Sequence, residues 1–269
     1  MTWLPPGPAW LFCPADRPER YDKASRAADV VILDLEDAVT SAAKSAARQM
    51  LIDHPQDPER TVIRVNPASG PEHLLDLQAL RRTGYRRIML PKCESPQQLS
   101  RLAEYEVVIL IESALGAITV TESVQAAPVI GVMWGAEDLI VSLGGTSSRG
   151  VGGSYRDVAQ NVRSASLLAA KAFGHFALDS VVLDIADLET LAAESEDAVA
   201  SGFDGKVAIH PRQVETIRQQ FAPTDAQLGW ARRVLASAAT ERGVFTFEGA
   251  MIDAPILRQA ESVLRRASK

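Results

Sequence analysis

Short apolar runs alternate with longer amphipathic stretches along most of this chain, regularly enough to name elements. Eight runs rich in β-branched and large apolar residues stand out: Trp10–Pro14, Val30–Asp34, Thr61–Val65, Arg87–Leu90, Val107–Ile111, Val129–Met133, Ser180–Ile185 and Lys206–Ile209. Runs of this kind, short and apolar on both faces, suit parallel strands covered by helices. Between them lie segments of helical periodicity, Glu72–Arg82, Pro96–Tyr105 and Tyr155–Phe173, and the alanine-rich stretch Thr40–Leu51. Alanine is the strongest helix former. Ser95 followed by Pro96 predicts an N-cap with proline at the first helical position.

Eight strand–helix repeats predict an α/β protein of the (β/α)8, or TIM-barrel, class. A doubly wound open sheet is the competitor, but no G-x-G-x-x-G follows the first strand. No internal sequence repeat is apparent. The gap between the sixth and seventh runs is long and holds a Gly/Ser-rich piece, Gly144–Ser154 (GGTSSRGVGGS), without a Walker pattern. A mobile βα loop is expected there. After the eighth run come two helical stretches, Arg212–Phe221 and Ala226–Arg242, a turn-like segment, Gly243–Pro255, and a last helix, Ile256–Ala267. One helix suffices to close a barrel. The expected organisation is therefore a catalytic barrel over 1–222 and a C-terminal helical extension over 223–269.

The chain has 269 residues, is 46% hydrophobic and 23% charged, and contains no apolar run long enough for a membrane span. Its start, MTWLPPGPAWLF, lacks the basic leader and apolar core of a signal peptide. Cys13 and Cys93 make no disulfide framework and are expected as free thiols in a reducing cytoplasm. A net charge of −6 argues against a broad nucleic-acid surface, while leaving room for a local basic pocket that takes a phosphorylated ligand.

In (β/α)8 enzymes the chemistry sits at the C-terminal ends of the strands. Those ends read Cys13–Arg20 (CPADRPER), Asp34–Asp37 (DLED), Arg64–Pro67 (RVNP), Pro91–Glu94 (PKCE), Glu112–Ser113, Gly135–Asp138 (GAED), Asp184 with Asp187, and His210–Pro211. The fifth and sixth runs matter most. Each meets a carboxylate at or just past its end, Glu112 in one and Asp138 in the other, and adjacent parallel strands lie only about 4.8 Å apart. Two acids so placed can share a small hard cation such as Mg²⁺, with substrate and water completing its octahedron. The alternative is a pair of ordinary loop acids, with Asp138 as N-cap of a helix beginning near Leu139. Arg64 and Lys92, embedded among the acids, can hold carboxylate or enolate oxygens.

The set P-A-D-R-P-E-R, I-L-D-L-E-D-A-V, R-V-N-P, L-P-K-C-E-S, I-E-S-A-L-G-A, W-G-A-E-D-L and A-I-H-P-R-Q resembles the citrate lyase β-subunit-like family. That family lies in the HpcH/HpaI aldolase group of the pyruvate/phosphoenolpyruvate barrel superfamily. The motifs fall in the family's order over essentially the whole chain, and G-A-M-I-D-A-P resembles its C-terminal lid. The resemblance implies Mg²⁺-dependent cleavage or formation of a carbon–carbon bond in a β-hydroxyacyl thioester of coenzyme A. It matches Glu112 and Asp138 to the metal ligands, with Glu112 also at the substrate, and Arg64 to the substrate arginine. It matches Asp253 to an acid on a lid that reaches a neighbouring subunit in relatives, so a homotrimer is implied. Phe12, Arg17 and Lys23 fall where relatives hold coenzyme A.

Each role has a bland alternative. Arg17, Arg20 and Lys23 also fit a solvated helix start, and Glu36 and Asp37 either position water on the metal or are loop acids. His210 reads as scaffold, Lys92 as an orienting charge rather than a Schiff base, and neither cysteine has a clear histidine partner. Three functions compete: a stand-alone acyl-CoA lyase acting on small molecules, the β subunit of a citrate lyase complex acting on an acyl-carrier protein, and a silent thioester-binding protein. Malyl, citramalyl, citryl and 3-hydroxy-3-methylglutaryl groups are all open.

Overall fold

Eight parallel strands close on themselves in sequence order, β1 to β8, in a computed structural model that describes residues 3–241 and 243–267. The order is β1 (Ala9–Pro14), α1 (Tyr21–Ala27), β2 (Val30–Asp34), α2 (Lys44–Asp53), β3 (Thr61–Arg64), α3 (Glu72–Leu80), β4 (Arg87–Leu90) and α4 (Pro96–Leu99). It continues with β5 (Glu106–Ile111), α5 (Ala114–Ser123), β6 (Val129–Trp134), α6 (Ala136–Ser142), α7 (Asp157–Ala172), β7 (Phe176–Asp179), α8 (Leu188–Ser201), β8 (Gly205–Ala208) and α9 (Pro211–Phe221). Pairing of Trp10 with Val207 closes the ring, and Ile111 opposite Trp134 sets β5 beside β6. This is the expected barrel.

Side chains of period two fill the interior. Trp10, Val30, Ile32, Val62, Met89, Val108, Leu110, Phe176, Leu178 and Val207 belong to one buried cluster. Trp3 stacks edge-on against Trp10 and Phe176 at that cluster. Gly131 makes room for it, since a Cβ there would lie 2.3 Å from the Phe176 ring.

Four expectations need correction. The seventh strand is Phe176–Asp179, not Ser180–Ile185, whose Leu183 and Ile185 are exposed. Phe176 and Leu178 are in register with Gly131 and Met133, so the β-branched run that follows is a βα loop, and Asp187 N-caps α8 through Thr190. The stretch Pro96–Tyr105 is helical only to Leu99, because turns follow it. The helix after β6 starts at Ala136 with Gly135 as its N-cap, which leaves Asp138 inside the first turn and not capping. Lastly, the turn-like segment before the last helix contains a hairpin, described below. The loop at Gly144–Ser154 is tied down by Ser148 to Glu137 at 2.7 Å and by Arg149 to Glu194 at 2.6 Å.

By contacts the chain forms two units, Met1–Ile217 and Arg218–Lys269. The second contains α10 (Asp225–Ala238), the antiparallel pair β9 (Phe245–Phe247) and β10 (Ala250–Ile252), and α11 (Ala254–Ala267). It has its own small core, in which Ala231, Val234, Ile252, Ala260 and Val263 are buried. Thr224 and Gln227 form a reciprocal capping box at the start of α10. Gly249, at φ 81°, turns the hairpin in a backbone region that favours glycine.

Candidate active site

The alternation that packs the barrel also builds the site. Along β2, Val30 and Ile32 point into the core, and the next residue in phase is Asp34. Arg64 follows Val62 on β3 in the same way, and Glu112 follows Val108 and Leu110 just past β5. Three charged side chains thus occupy the top inward layer, at the C-terminal end of the barrel.

Their partners are specific. Asp34 takes Arg64 Nε at 2.7 Å on Oδ1 and Nη2 at 2.6 Å on Oδ2. The same two oxygens accept the backbone N–H groups of Glu36, at 2.9 Å, and Ala38, at 3.0 Å. Burial alone would raise the Asp34 pKa, but the Arg64 charge and these bonds outweigh it and hold the carboxyl below the usual range. The guanidinium lies over the Phe12 ring, 4.5 Å from its centroid. Glu36 Oε2 faces Arg64 Nη1 at 3.1 Å but has no hydrogen-bond partner, and Glu36 Oε1 takes Lys92 Nζ at 2.6 Å.

Glu112 is buried beside this pair. Its Oε1 accepts the Lys92 backbone N–H at 3.0 Å. Burial first, then the negative charges of Glu36 and Asp138, push its carboxyl up to about 8 against the pull of Lys92 and Arg64. Gly135 admits the carboxylate, since a Cβ there would sit 2.9 Å from Glu112 Oε2. Asp138 is reached by Lys92 Nζ at 3.3 Å.

One cavity of about 330 Å³ gathers Phe12, Asp34, Arg64, Glu112 and Asp138, and apolar Leu110, Met133, Val181 and Ile209 face it as well. Among the described residues no three His, Cys, Asp or Glu side chains converge as a metal cage. The donor set nevertheless fits a hard cation. Glu112 and Asp138 supply carboxylate oxygens, the excess of acids over cations here favours added positive charge, and the remaining positions suit substrate oxygens and water. A closed zinc cage would need four protein ligands.

A second cavity of about 380 Å³ contains Phe12, Arg20 and Lys23 with Cys13, Ile209 and His210. Phe12 and Lys23 are therefore brought together there, whereas Arg17 is absent from both linings and lies exposed beside Asp16 at 3.8 Å. Arg20, one turn further on, is the arginine that lines the second cavity. Asp253 belongs to the second unit, where its Oδ1 accepts the Ile256 N–H at 3.2 Å at the start of α11. Both cysteines are free and buried, and burial first raises each thiol to about 11, which suits no nucleophile. His210 Nδ1 accepts the Arg212 N–H, a scaffold role.

Sequence reasoning passed over Asp34 and the support beneath it. Lys44 Nζ donates to the carbonyls of Leu35 and Glu36 at 2.8 and 2.9 Å and to Asn66 Oδ1 at 2.6 Å. Buried Asp76 takes Arg48 Nε at 2.7 Å and the Asn66 backbone and side-chain N–H groups at 2.7 and 2.8 Å. For Asp34 a signal existed: a charged residue in the inward phase of V-V-I-L-D.

The HpcH/HpaI aldolase/citrate lyase family model matches residues 9–211. The citrate lyase subunit beta-like protein of Mycobacterium tuberculosis is 56% identical over 263 residues, which span 98% of this chain and 96% of that protein. The mitochondrial citramalyl-CoA lyase of Homo sapiens is 30% identical over 297 residues, 98% of this chain and 86% of that protein. The crystal structure of CitE from Mycobacterium tuberculosis in complex with magnesium, acetoacetate and coenzyme A matches with a TM-score of 0.94 at 56% identity, covering 98% of both chains.

Proposed function

The chain belongs to the HpcH/HpaI aldolase/citrate lyase family, and from that premise we propose that it is a Mg²⁺-dependent carbon–carbon lyase. It cleaves, or in reverse condenses, a β-hydroxyacyl-CoA thioester, and the products are an acetyl-CoA-type thioester and a 2-oxo acid or ketone. One observation carries this most directly: a guanidinium fixed by Asp34 and two carboxylates, Glu112 and Asp138, share a cavity with an apolar wall. The magnesium and coenzyme A held by the mycobacterial relative support the same assignment.

Glu112 and Asp138 would hold the ion. When bound, Mg²⁺ supplies Lewis acidity that lowers the pKa of the substrate hydroxyl. Once the hydroxyl proton passes to solvent water, the alkoxide collapses to a carbonyl, the carbon–carbon bond breaks, and the bonding electrons pass to the thioester as an enolate. Arg64 spends two of its five N–H groups on Asp34 and keeps others for the enolate oxygen. Its charge is permanent and its orientation is fixed, so little reorganisation is needed as negative charge develops. A proton must then reach the α-carbon, and Asp253 is the assigned donor. By family likeness Asp253 acts from the 223–269 extension, as a lid over the mouth of the 1–222 barrel in an adjacent protomer of a homotrimer.

Phe12 and Lys23, with Arg17 and Arg20 at the chain's entry to α1, are assigned to the coenzyme A handle. The second cavity supports Phe12, Arg20 and Lys23 in that role. No helix among the described residues is long and apolar enough to cross a membrane, and a cytoplasmic site of action fits the two free thiols. The test is a cleavage screen with Mg²⁺ over malyl-, citramalyl-, citryl- and 3-hydroxy-3-methylglutaryl-CoA, with a citryl-loaded acyl-carrier protein alongside. Release of acetyl-CoA and a 2-oxo acid or ketone, abolished by Glu112→Gln, is the expected result. Turnover of the carrier-protein thioester alone would make the chain a citrate lyase β subunit instead.

A further inference from the structure

Lys92 has φ 51°, in the left-handed region that a residue with a side chain adopts only when its surroundings impose it. What imposes it is plain. The backbone N–H donates to Glu112 Oε1 at 3.0 Å, and the side chain folds back over the acids of the mouth. Nζ lies 2.6 Å from Glu36 Oε1, 3.3 Å from Asp138 Oδ1, 3.7 Å from Asp37 Oδ2 and 4.0 Å from Glu112 Oε1. One ammonium serves four carboxylates, and Arg64, which also faces the Glu36 carboxylate, is bound to Asp34 as well.

Two of those carboxylates, Glu112 and Asp138, are the ones assigned above to the metal. An ammonium and a divalent ion then draw on the same oxygens. They also repel each other at separations of a few ångströms, where charges near a protein surface interact strongly. The proposed bond cleavage gives Lys92 no step of its own, since no Schiff base forms.

Resting on the assignment of Glu112 and Asp138 as ligands, we propose that Lys92 is an internal competitor of the metal. Its ammonium shares the ligand oxygens and thereby sets a low affinity for Mg²⁺. The same charge holds four acids together whenever the ion dissociates, so the site tolerates exchange of its metal. Removing a positive charge from the mouth therefore strengthens cation binding, even though the side chain touches the ligands.

Calorimetric titration of MgCl2 into the full-length protein, stripped with a chelator and held at fixed pH and salt, tests this without reference to turnover. Lys92→Met and Lys92→Gln should each bind Mg²⁺ at least about tenfold more tightly than the parent. Lys171→Met, which removes an equal charge paired with Asp204 on the outside of the barrel, should stay within about twofold. The rise in Tm produced by Mg²⁺ should be larger in both Lys92 variants. If the parent binds Mg²⁺ and both folded Lys92 variants bind equally or more weakly, Lys92 is a scaffold for the ligands and the competitor is refuted. A different failure is visible separately: if the parent does not bind Mg²⁺, or Glu112→Gln binds it equally well, the ligand assignment falls and takes the proposal with it. Should the apolar Lys92→Met not fold, Lys92→Gln decides alone.

Discussion

Replacing Asp34 by asparagine changes one atom and should cost a large part of the protein's stability. Each Asp34 oxygen takes one guanidinium N–H and one backbone N–H: Arg64 Nε with Glu36 on Oδ1, Arg64 Nη2 with Ala38 on Oδ2. Whichever way an amide is turned, its NH2 meets two donors where an oxygen met them before. Two hydrogen bonds are lost, and unsatisfied buried groups cost about 1–3 kcal/mol each. Arg64 also loses its paired charge in a buried place, although Glu36 remains 3.1 Å away. Breaking a buried pair at one partner typically costs about 3–5 kcal/mol, and that is the range expected here. Urea unfolding followed by far-ultraviolet circular dichroism measures it at pH 7. The gap between parent and variant should narrow in acid. Asp34 has a lowered pKa in the fold, so its contribution is present above the ordinary carboxylate range and is lost as pH falls through the folded value. A double variant with Arg64→Met should lose clearly less than the two single losses added together. A loss below about 1 kcal/mol for Asp34→Asn, or strict additivity in the cycle, would refute the pairing as described.

Three further outcomes follow from the same geometry. Glu112 sits at about 8 in the fold against an ordinary 4.5, so the folded chain keeps a proton that the unfolded chain releases between those values. Stability of the metal-free protein should therefore fall across that window with a contribution of up to about 1.4 kcal/mol per pH unit; chemical unfolding at several pH values should show this slope in the parent and not in Glu112→Gln. Arg20→Ala and Lys23→Ala should raise KM for the thioester severalfold with kcat nearly unchanged, because they touch the ligand far from the reacting bond, whereas exposed Arg17→Ala should do less; steady-state kinetics separates the three. Asp253→Ala should abolish turnover while retaining Mg²⁺ and thioester binding, and mixing it with Arg64→Ala subunits should restore part of the activity; subunit exchange proved by mass with no recovery would count against a site shared between protomers.

Much of the barrel was legible because its strands announce themselves locally. Val30–Asp34 and Arg87–Leu90 coincide with the apolar runs read from sequence, and five more agree within a residue at each end. The seventh failed for a physical reason. Its strand, F-A-L-D, is short and ends in Asp179, an acid buried only because Lys206, Arg163 and Trp134 reach it at 3.0, 2.9 and 2.7 Å from elsewhere in the chain. A local pattern prefers S-V-V-L-D-I, which has the better β propensity but no place in the ring. The site divides in the same way. Glu112 and Asp138 stand at strand ends and were visible, but the grip of Asp34 on Arg64 and of Lys44 on the loop after β2 depends on pairings across 30 and 8 or 9 residues that no periodicity encodes.

The cavity at the mouth has two kinds of wall, and their construction differs. Asp34 and Arg64 are locked to one another, and Asp34 and Glu112 to backbone groups, so a substitution at one disturbs its partners. Val181 and Ile209 lie on its apolar side, where shape can be altered by volume-conserving side chains at small cost. Heritable change therefore has an uneven terrain in this barrel. Drift is nearly forbidden on the charged wall and cheap on the apolar one, so a lineage can retune the size of the acyl group it accepts without relearning how to break the bond.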